Sequence, residues 1–99
     1  MVTEIASFAV KTGTGPQFEA AVKQLRDVFA HAKGCKAVEL LRGLETPDSY
    51  RLLVVWDTRE NNTVDFRQSA DYKDVGRAIR DFLAGKPTAE HYESAVKLL

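Results

Sequence analysis

The longest hydrophobic run of the chain lies near its middle, between Ser49 and Asp57. After Arg51 it has no polar break until Asp57, and its β-branched and aromatic residues favour a strand with both faces out of water. Side chains alternate along a strand, so one face carries Tyr50, Leu52, Val54 and Trp56 and the other carries Arg51, Leu53 and Val55. The pattern predicts a central strand that needs a covering layer on each side.

The first part of the chain predicts a strand, a helix and a second strand. Residues Val2 to Val10 alternate, with Glu4 on the same face as Ala6, Phe8 and Val10. One helix is then expected from Thr14, whose hydroxyl can accept an early backbone N–H, to Gly34, which can adopt a left-handed cap. Its apolar stripe is Phe18, Val22, Leu25, Phe29 and Ala32. Cys35 to Arg42 is predicted to be a strand that leads through the hairpin loop 43–48 into the central one.

The second part predicts a short helix or turn, a longer helix and a last strand. The polar segment 57–66 has few apolar positions, which favours the short helix or turn. Ser69 can cap the following helix, which ends at Gly85 and has the buried stripe Tyr72, Val75, Ile79 and Phe82. Residues 88–96 alternate and are expected to form the last strand.

The order of elements, β-α-β-β-α-β, predicts an α+β, ferredoxin-like domain with both helices on one face of a four-stranded antiparallel sheet. A chain of 99 residues suffices for a single domain, residues 1–99, but not for helices on both faces. The face with Leu53 and Val55 would be bare. We therefore expect a homodimer in which a second copy covers this sheet face.

Composition and charge limit the kinds of partner that can be expected. The chain is 44% hydrophobic and 28% charged, and its 14 basic and 14 acidic residues give a formal net charge of zero. This balance argues against nucleic acid as a partner. No apolar stretch approaches membrane-spanning length, and Met1 to Glu4 lack the basic start and apolar run of a signal peptide. With Cys35 as the single cysteine, a cytoplasmic protein without membrane contact is expected.

Two other functions of this fold are disfavoured by the residues present. An RNA-recognition domain would carry exposed aromatic residues on its central strands, whereas Leu52 to Val55 are aliphatic. A metal chaperone would carry paired cysteines after the first strand, and residues 11–14 include none.

Three segments carry a resemblance to a known family: Leu53 to Asp57 with its strand-end tryptophan, Val64 to Ser69 followed by Tyr72, and Glu90 to Tyr92. From Val2 to Val96 the chain resembles the antibiotic biosynthesis monooxygenase (ABM) domain family. The resemblance implies a dimeric α+β barrel. Characterised members include oxygenases that use O2 on phenolic or quinol-type substrates without metal or flavin, and also haem-degrading enzymes.

Departures from the family pattern separate these branches. Haem-degrading relatives have a tryptophan near Phe66 and an iron-ligating histidine near Gly76, and glycine cannot ligate iron. Oxygenase relatives can have an amide at Leu52 and a tyrosine at Asn62, and Trp56 is retained. The resemblance thus implies a cofactor-independent monooxygenase with no metal site, acting on a phenolic or quinol-type aromatic molecule. The alternative is a non-catalytic dimeric small-molecule-binding or stress-response module.

Candidate site residues follow from the fold and the resemblance. His91 is the candidate general base, although a lone histidine is often structural. Trp56 is either core packing or a pocket wall with an N–H donor, and it is carried as the second catalytic candidate. Asn62 either caps a short helix or projects an amide into a pocket. The predicted substrate-binding residues are Asn62, Phe66, Tyr72 and Phe82.

Two further residues have structural interpretations. His31 is expected to interact with the C-terminus of the first helix. Cys35 is expected to be a small buried hydrophobic residue, because reactivity would require a local basic environment that neighbouring lysines do not establish.

Overall fold

The predicted central strand lies inside the sheet. In the computed structural model, which describes all residues 1–99, β3 (Ser49–Trp56) pairs antiparallel with β1 (Val2–Ala9) and with β2 (Cys35–Arg42). The last strand, β4 (Thr88–Tyr92), pairs with the other edge of β1, so the order is β2-β3-β1-β4. This four-stranded antiparallel sheet with its helices confirms the predicted α+β ferredoxin-like fold.

The two faces of β3 have different surroundings, as its sequence indicates. Tyr50 and Trp56 are buried among aromatic rings from the helical layer: Phe18 lies 4.9 Å from Tyr50 and Phe66 lies 5.4 Å from Trp56, centroid to centroid. Aromatic pairs at these separations contribute packing beyond their buried area. On the opposite face Leu53 and Val55 are only half-buried within one copy of the chain.

The predicted first helix is two helices, so the expectation of one continuous helix is wrong. The helices are α1 (Gly15–Lys23) and α2 (Arg26–Ala30). Between them the Leu25 N–H donates to the Val22 carbonyl at 2.9 Å, an i to i−3 bond that tightens the turn. The tighter turn changes the direction of the chain while Leu25 stays buried in the core.

The ends of this helical region agree only in part with prediction. Thr14 precedes α1, but its hydroxyl caps no helical N–H; it donates instead to the Lys11 carbonyl at 2.7 Å. Gly34 has a positive φ of 77°, which confirms the left-handed conformation expected there. His31 Nδ1 donates to the Asp27 carbonyl at 2.8 Å, which confirms its expected place at the helix C-terminus.

The segment after β3 forms a π-helix, Asn61–Phe66, within the region predicted to be a short helix or turn. The next helix, α3, spans Ala70–Ile79, and the Ser69 side chain accepts the Tyr72 N–H at 3.3 Å, which confirms the predicted cap. The predicted helix was too long at its end, where residues Arg80–Phe82 form a 3-10 turn. There the Phe82 carbonyl accepts the Lys11 N–H at 2.8 Å, so pairing near β1 draws the chain out of the helix.

The last strand is shorter than predicted. Its final residue, Tyr92, lies opposite Thr3, near the start of β1. Beyond this point β1 offers almost no backbone groups to pair with, so the alternating pattern up to Val96 does not extend the sheet.

The helices are too short and too polar to cross a membrane.

Candidate functional site

A cavity of about 550 Å³ lies between α3 and the helix-facing side of the sheet. Small-molecule sites are typically concave, largely apolar and of this size. The hydrophobic part of the wall is formed by Ala6, Phe8, Phe29, Leu52, Phe66, Tyr72, Val75, Ile79, Leu83 and Ala89. A few polar side chains complete the wall and give the cavity its chemical character.

The carboxylate of Glu4 is the single acidic group in the cavity wall. Glu4 is only 7% exposed, and its Oε1 accepts a hydrogen bond from Trp56 Nε1 at 3.0 Å. No protein group donates to Oε2, and no side-chain oxygen or nitrogen of the chain is sealed away without a partner. Oε2 therefore opens to the cavity as a hydrogen-bond acceptor.

The register of the sheet places Glu4 and Trp56 together. Glu4 lies opposite Val54, and Trp56 is two residues further along β3 on the same face. Trp56 has no exposed surface and does not line the cavity; it lies behind Glu4 and orients one carboxylate oxygen. Trp56 is therefore core packing rather than a pocket wall, and its N–H donates to Glu4 and not into the cavity.

The first two residues of the π-helix, Asn61 and Asn62, have different surroundings. Asn61 Oδ1 accepts the backbone N–H and the hydroxyl of Thr58, both at 3.0 Å, and Asn61 Nδ2 donates to Asp65 at 3.2 Å. Asn62 is 2% exposed and lines the cavity. Of the two interpretations of Asn62, the cavity amide applies; the N-cap residue of this helix forms no side-chain cap.

His91 fixes the orientation of the Asn62 amide. Its Nε2 lies 2.8 Å from Asn62 Oδ1, and since an amide oxygen only accepts, the imidazole must carry a proton on Nε2. Asn62 Nδ2, which has no protein partner, is left as a donor towards the cavity. The sequence left open whether His91 faces the cavity: it lies on the helix side of the sheet, opposite Glu4, but behind Asn62 rather than in the wall.

A second cavity, of about 520 Å³, lies between the first helices and β2. Its acid, Glu19, is already engaged: Arg42 donates to it twice, at 2.7 and 2.6 Å, and the Tyr50 hydroxyl donates at 2.6 Å. The hydrogen bonds from Arg42 and then Tyr50 lower the pKa of Glu19 to about 2. Because this carboxylate is committed to structure, the cavity under α3 is the better candidate site.

Cys35 lies in the wall of that second cavity and is half-buried. Burial raises the pKa of its thiol, so little thiolate forms near neutral pH. No three His, Cys, Asp or Glu side chains of the chain are grouped so that they could hold a metal ion.

Comparison with known proteins identifies the family. The family model for antibiotic biosynthesis monooxygenase matches residues 1–78. The uncharacterized protein YczJ of Bacillus subtilis (strain 168) is 33% identical over 93 residues, which cover 94% of this chain and 98% of that protein.

The chain belongs to the antibiotic biosynthesis monooxygenase family.

Solved structures of similar proteins have the same fold as this ABM chain. A Bordetella bronchiseptica protein that carries the family's name superposes with a TM-score of 0.93 at 40% identity, covering 96% of this chain and 97% of that one. SnoaB of Streptomyces nogalater, described as a cofactor-independent oxygenase, superposes with a TM-score of 0.82 at 21% identity, covering 98% and 95% of the two chains. The second likeness is one of fold alone.

In this ABM domain the predicted site residues divide into three groups. Asn62, Phe66 and Tyr72 line the cavity, although Tyr72 is 41% exposed rather than buried in the core as its stripe predicted. Trp56 and His91 do not line the cavity, but each is hydrogen-bonded to a residue that does: Trp56 to Glu4 and His91 to Asn62. Phe82 does not line the cavity; it lies in the 3-10 turn after α3 and packs against Phe18, with the ring centroids 6.4 Å apart.

Sequence reasoning missed Glu4 as a site residue. The signal was present, since an acid alternates with Ala6, Phe8 and Val10 on the apolar face of a predicted strand. Three cations that line the same cavity, Arg67, Arg80 and Lys86, were also missed, and no spacing in the sequence relates them.

Proposed function

We propose that this ABM protein is a cofactor-independent monooxygenase that oxidises a phenolic or quinol-type aromatic molecule in the cavity under α3. The observation that carries the proposal is the Glu4 carboxylate, which is held by Trp56 and has its second oxygen open to an otherwise largely apolar cavity. A phenol offers the matching pair of features, an apolar ring and one acidic hydroxyl.

The chemistry depends on the reactivity of the substrate itself. A deprotonated phenol is electron-rich and can pass an electron to O2, after which the two radicals combine at a ring carbon. For a phenol with a free C–H para to the hydroxyl, the products are a para-quinone and water: one oxygen atom joins the carbon and the other leaves with two hydrogens. The protein must bind the ring, remove the proton and exclude water.

Glu4 is the proposed proton acceptor. Its Oε2 is the acceptor that opens to the cavity, and a hydroxyl placed there would lose its proton directly to the carboxylate. Trp56 acts through Glu4 as a positioning residue, because its Nε1 donates to Oε1 and leaves Oε2 for the ligand.

Asn62 is the proposed donor to the developing phenolate oxygen. A preorganised N–H near the site where negative charge develops stabilises that charge. His91, the base nominated from sequence, is proposed to act on the same atom through Asn62, because its Nε2–H holds the amide oxygen at 2.8 Å and so turns Nδ2 to the cavity.

A second copy of the chain is proposed to cover the open sheet face. Ile5, Leu53 and Val55 lie side by side on that face in neighbouring strands and are half-buried. An apolar patch of this kind favours self-association, and two sheets packed face to face would form the dimeric α+β barrel of the family.

Oxygen consumption tests the proposal. Metal-free protein is incubated with a panel of phenols and quinols, and O2 uptake is followed with an electrode against the uncatalysed rate. We expect catalysed uptake with at least one substrate, and a loss of turnover of roughly 100-fold or more in Glu4→Gln, since the amide accepts no proton but still accepts from Trp56. Glu45→Gln, an exposed acid outside the cavity, is the matched control.

The variants also assign the roles. Asn62→Ala should lower kcat, because it removes the donor to the developing phenolate, and Trp56→Phe and His91→Ala, which position Glu4 and Asn62, should lower it by less. A large loss of kcat in His91→Ala with none in Glu4→Gln would make His91 the base. Ligands that raise Tm without any O2 uptake would contradict the oxygenase proposal and favour the non-catalytic binding module.

A further inference from the structure

Three exposed cations line the solvent-facing part of the cavity under α3, which we call its mouth. They come from three different segments: Arg67 follows the π-helix, Arg80 follows α3, and Lys86 lies in the loop before β4. All three are exposed, and all three line the cavity. The mouth is therefore positively charged, although the chain as a whole has no net charge.

None of these cations is paired with an acid of the chain. Ion pairs engage Arg26, Lys33, Lys36, Arg42 and Arg77 with aspartate or glutamate, but not Arg67, Arg80 or Lys86. The single acid in the cavity wall is Glu4, which is buried and bonded to Trp56. Three positive charges at the mouth thus remain available to a ligand.

The charges inside and outside the cavity are arranged as two poles. Glu4 is 7% exposed and lies at the inner end, whereas the three cations lie at the solvent end. An anionic group placed beside Glu4 would be repelled by its carboxylate and would also lose its hydration. The same group at the mouth would be attracted by three cations and would stay in contact with water.

From this polarity we infer that the ligand of the cavity is a hydroxyaryl acid, bound with its hydroxyl towards Glu4 and its carboxylate at the mouth. The inference rests on the cavity's being the substrate site, as in the proposed function, and it specifies the substrate class. Arg67, Arg80 and Lys86 are then specificity-determining residues that contact the acid group and take no part in proton transfer.

Anaerobic binding tests the inference without any oxidation. The probes are 6-hydroxy-2-naphthoate, whose hydroxyl and carboxylate lie at opposite ends, and its neutral carboxamide, 6-hydroxy-2-naphthamide. Affinities are measured by calorimetry at pH 7 in low salt. Exposed ion pairs contribute roughly twofold to fivefold each, so the wild-type protein should prefer the carboxylate by about tenfold or more.

Charge variants test whether the three cations cause the preference for the carboxylate probe. In the triple variant Arg67→Gln, Arg80→Gln, Lys86→Gln the carboxylate should bind no better than the carboxamide, while carboxamide affinity stays within about twofold of wild type, since that probe makes no ion pair. Lys73→Gln is the matched control, because Lys73 is an exposed cation of α3 that does not line the cavity. It should keep the full preference. Added salt should weaken the preference in wild type and in Lys73→Gln.

Equal affinity of wild type for the two probes, binding of neither probe, or a preference that survives the triple substitution would each overturn the inference. Measurements of oxygen uptake distinguish a failure of this inference from a failure of the proposed function. Turnover of neutral phenols by a protein without the carboxylate preference would leave the oxygenase standing and the inference wrong. Tight carboxylate binding without any turnover would leave the inference standing and the oxygenase wrong.

Discussion

Glu4 and Trp56 illustrate how two residues shape the candidate site. A buried carboxylate costs several kcal/mol unless hydrogen bonds compensate for lost hydration. Trp56 supplies one such bond at 3.0 Å, and the other oxygen opens to the cavity. The pair thus leaves one oriented acceptor inside an apolar space, which is an arrangement suited to holding a hydroxyl group.

Gly34 offers a test of how one residue outside the cavity supports it. It has a φ of +77°, and an added Cβ would collide with the Asn61 side chain. Gly13 has a similar φ of +80°, but a Cβ there would meet nothing within 4 Å. Gly13→Ala should therefore lower the free energy of unfolding by roughly 1 kcal/mol, the strain of an alanine at positive φ. Gly34→Ala should lower it by about 3 kcal/mol or more, because it also displaces Asn61.

Urea unfolding of the two glycine variants measures this difference. Since Asn61 holds the start of the π-helix, Gly34→Ala should also weaken ligand binding at Asn62, whereas Gly13→Ala should not. Equal destabilisation by the two substitutions would contradict the collision with Asn61.

At the scale of elements, side-chain hydrogen bonds attach α1 to the sheet. Glu19 of α1 accepts from Arg42 at the end of β2 and from Tyr50 at the start of β3. Burial, followed by the hydrogen bond to Glu19, raises the pKa of the Tyr50 hydroxyl. The three side chains thus connect three elements at one end of the helical layer.

This contact predicts a specific pH dependence of stability. The folded pKa of Glu19 is about 2, against an ordinary value of 4.5, so the unfolded state binds more protons between these values. Stability from Glu19 is therefore fully present above about pH 4.5 and is lost as the pH falls towards 2. Glu19→Gln should remove this part of the acid dependence, and Glu45→Gln should not.

Circular dichroism with urea at a series of pH values measures the free energy of unfolding for these proteins. The advantage of wild type over Glu19→Gln should be greatest above pH 4.5 and should shrink below it. A constant difference across the whole series would show that the Glu19 carboxylate is not the group responsible.

At the scale of the whole molecule, the open sheet face leads to a prediction about assembly. We expect a homodimer, in which Leu53 of one copy is buried against the other. Leu53→Asp would place an unpaired carboxylate in that interface and should weaken dimerisation by about 100-fold or more. Leu44→Asp is the control, since Leu44 is 85% exposed in the loop between β2 and β3.

Sedimentation velocity distinguishes the two states. Wild type and Leu44→Asp should sediment as dimers at micromolar concentration and Leu53→Asp as a monomer. A monomeric wild type at that concentration would contradict the proposed association.

The sequence alone determined the order of elements and the central place of β3. Periods of two and of three to four residues follow directly from which side chains each element buries, so the run from Tyr50 to Trp56 and the stripe through Phe18 and Phe29 could be interpreted locally. Residues such as Trp56 also carried the resemblance to the ABM family, which the comparisons confirm.

Only the tertiary structure decided the site. Trp56 and Glu4 are 52 positions apart in the chain, and His91 and Asn62 are 29 apart, so their hydrogen bonds depend on sheet register and on the π-helix rather than on spacing. The end of α3 and the short β4 were likewise set by pairing with distant segments. Local periodicity reports which face is buried, but the partner that satisfies a buried polar group comes from elsewhere in the chain.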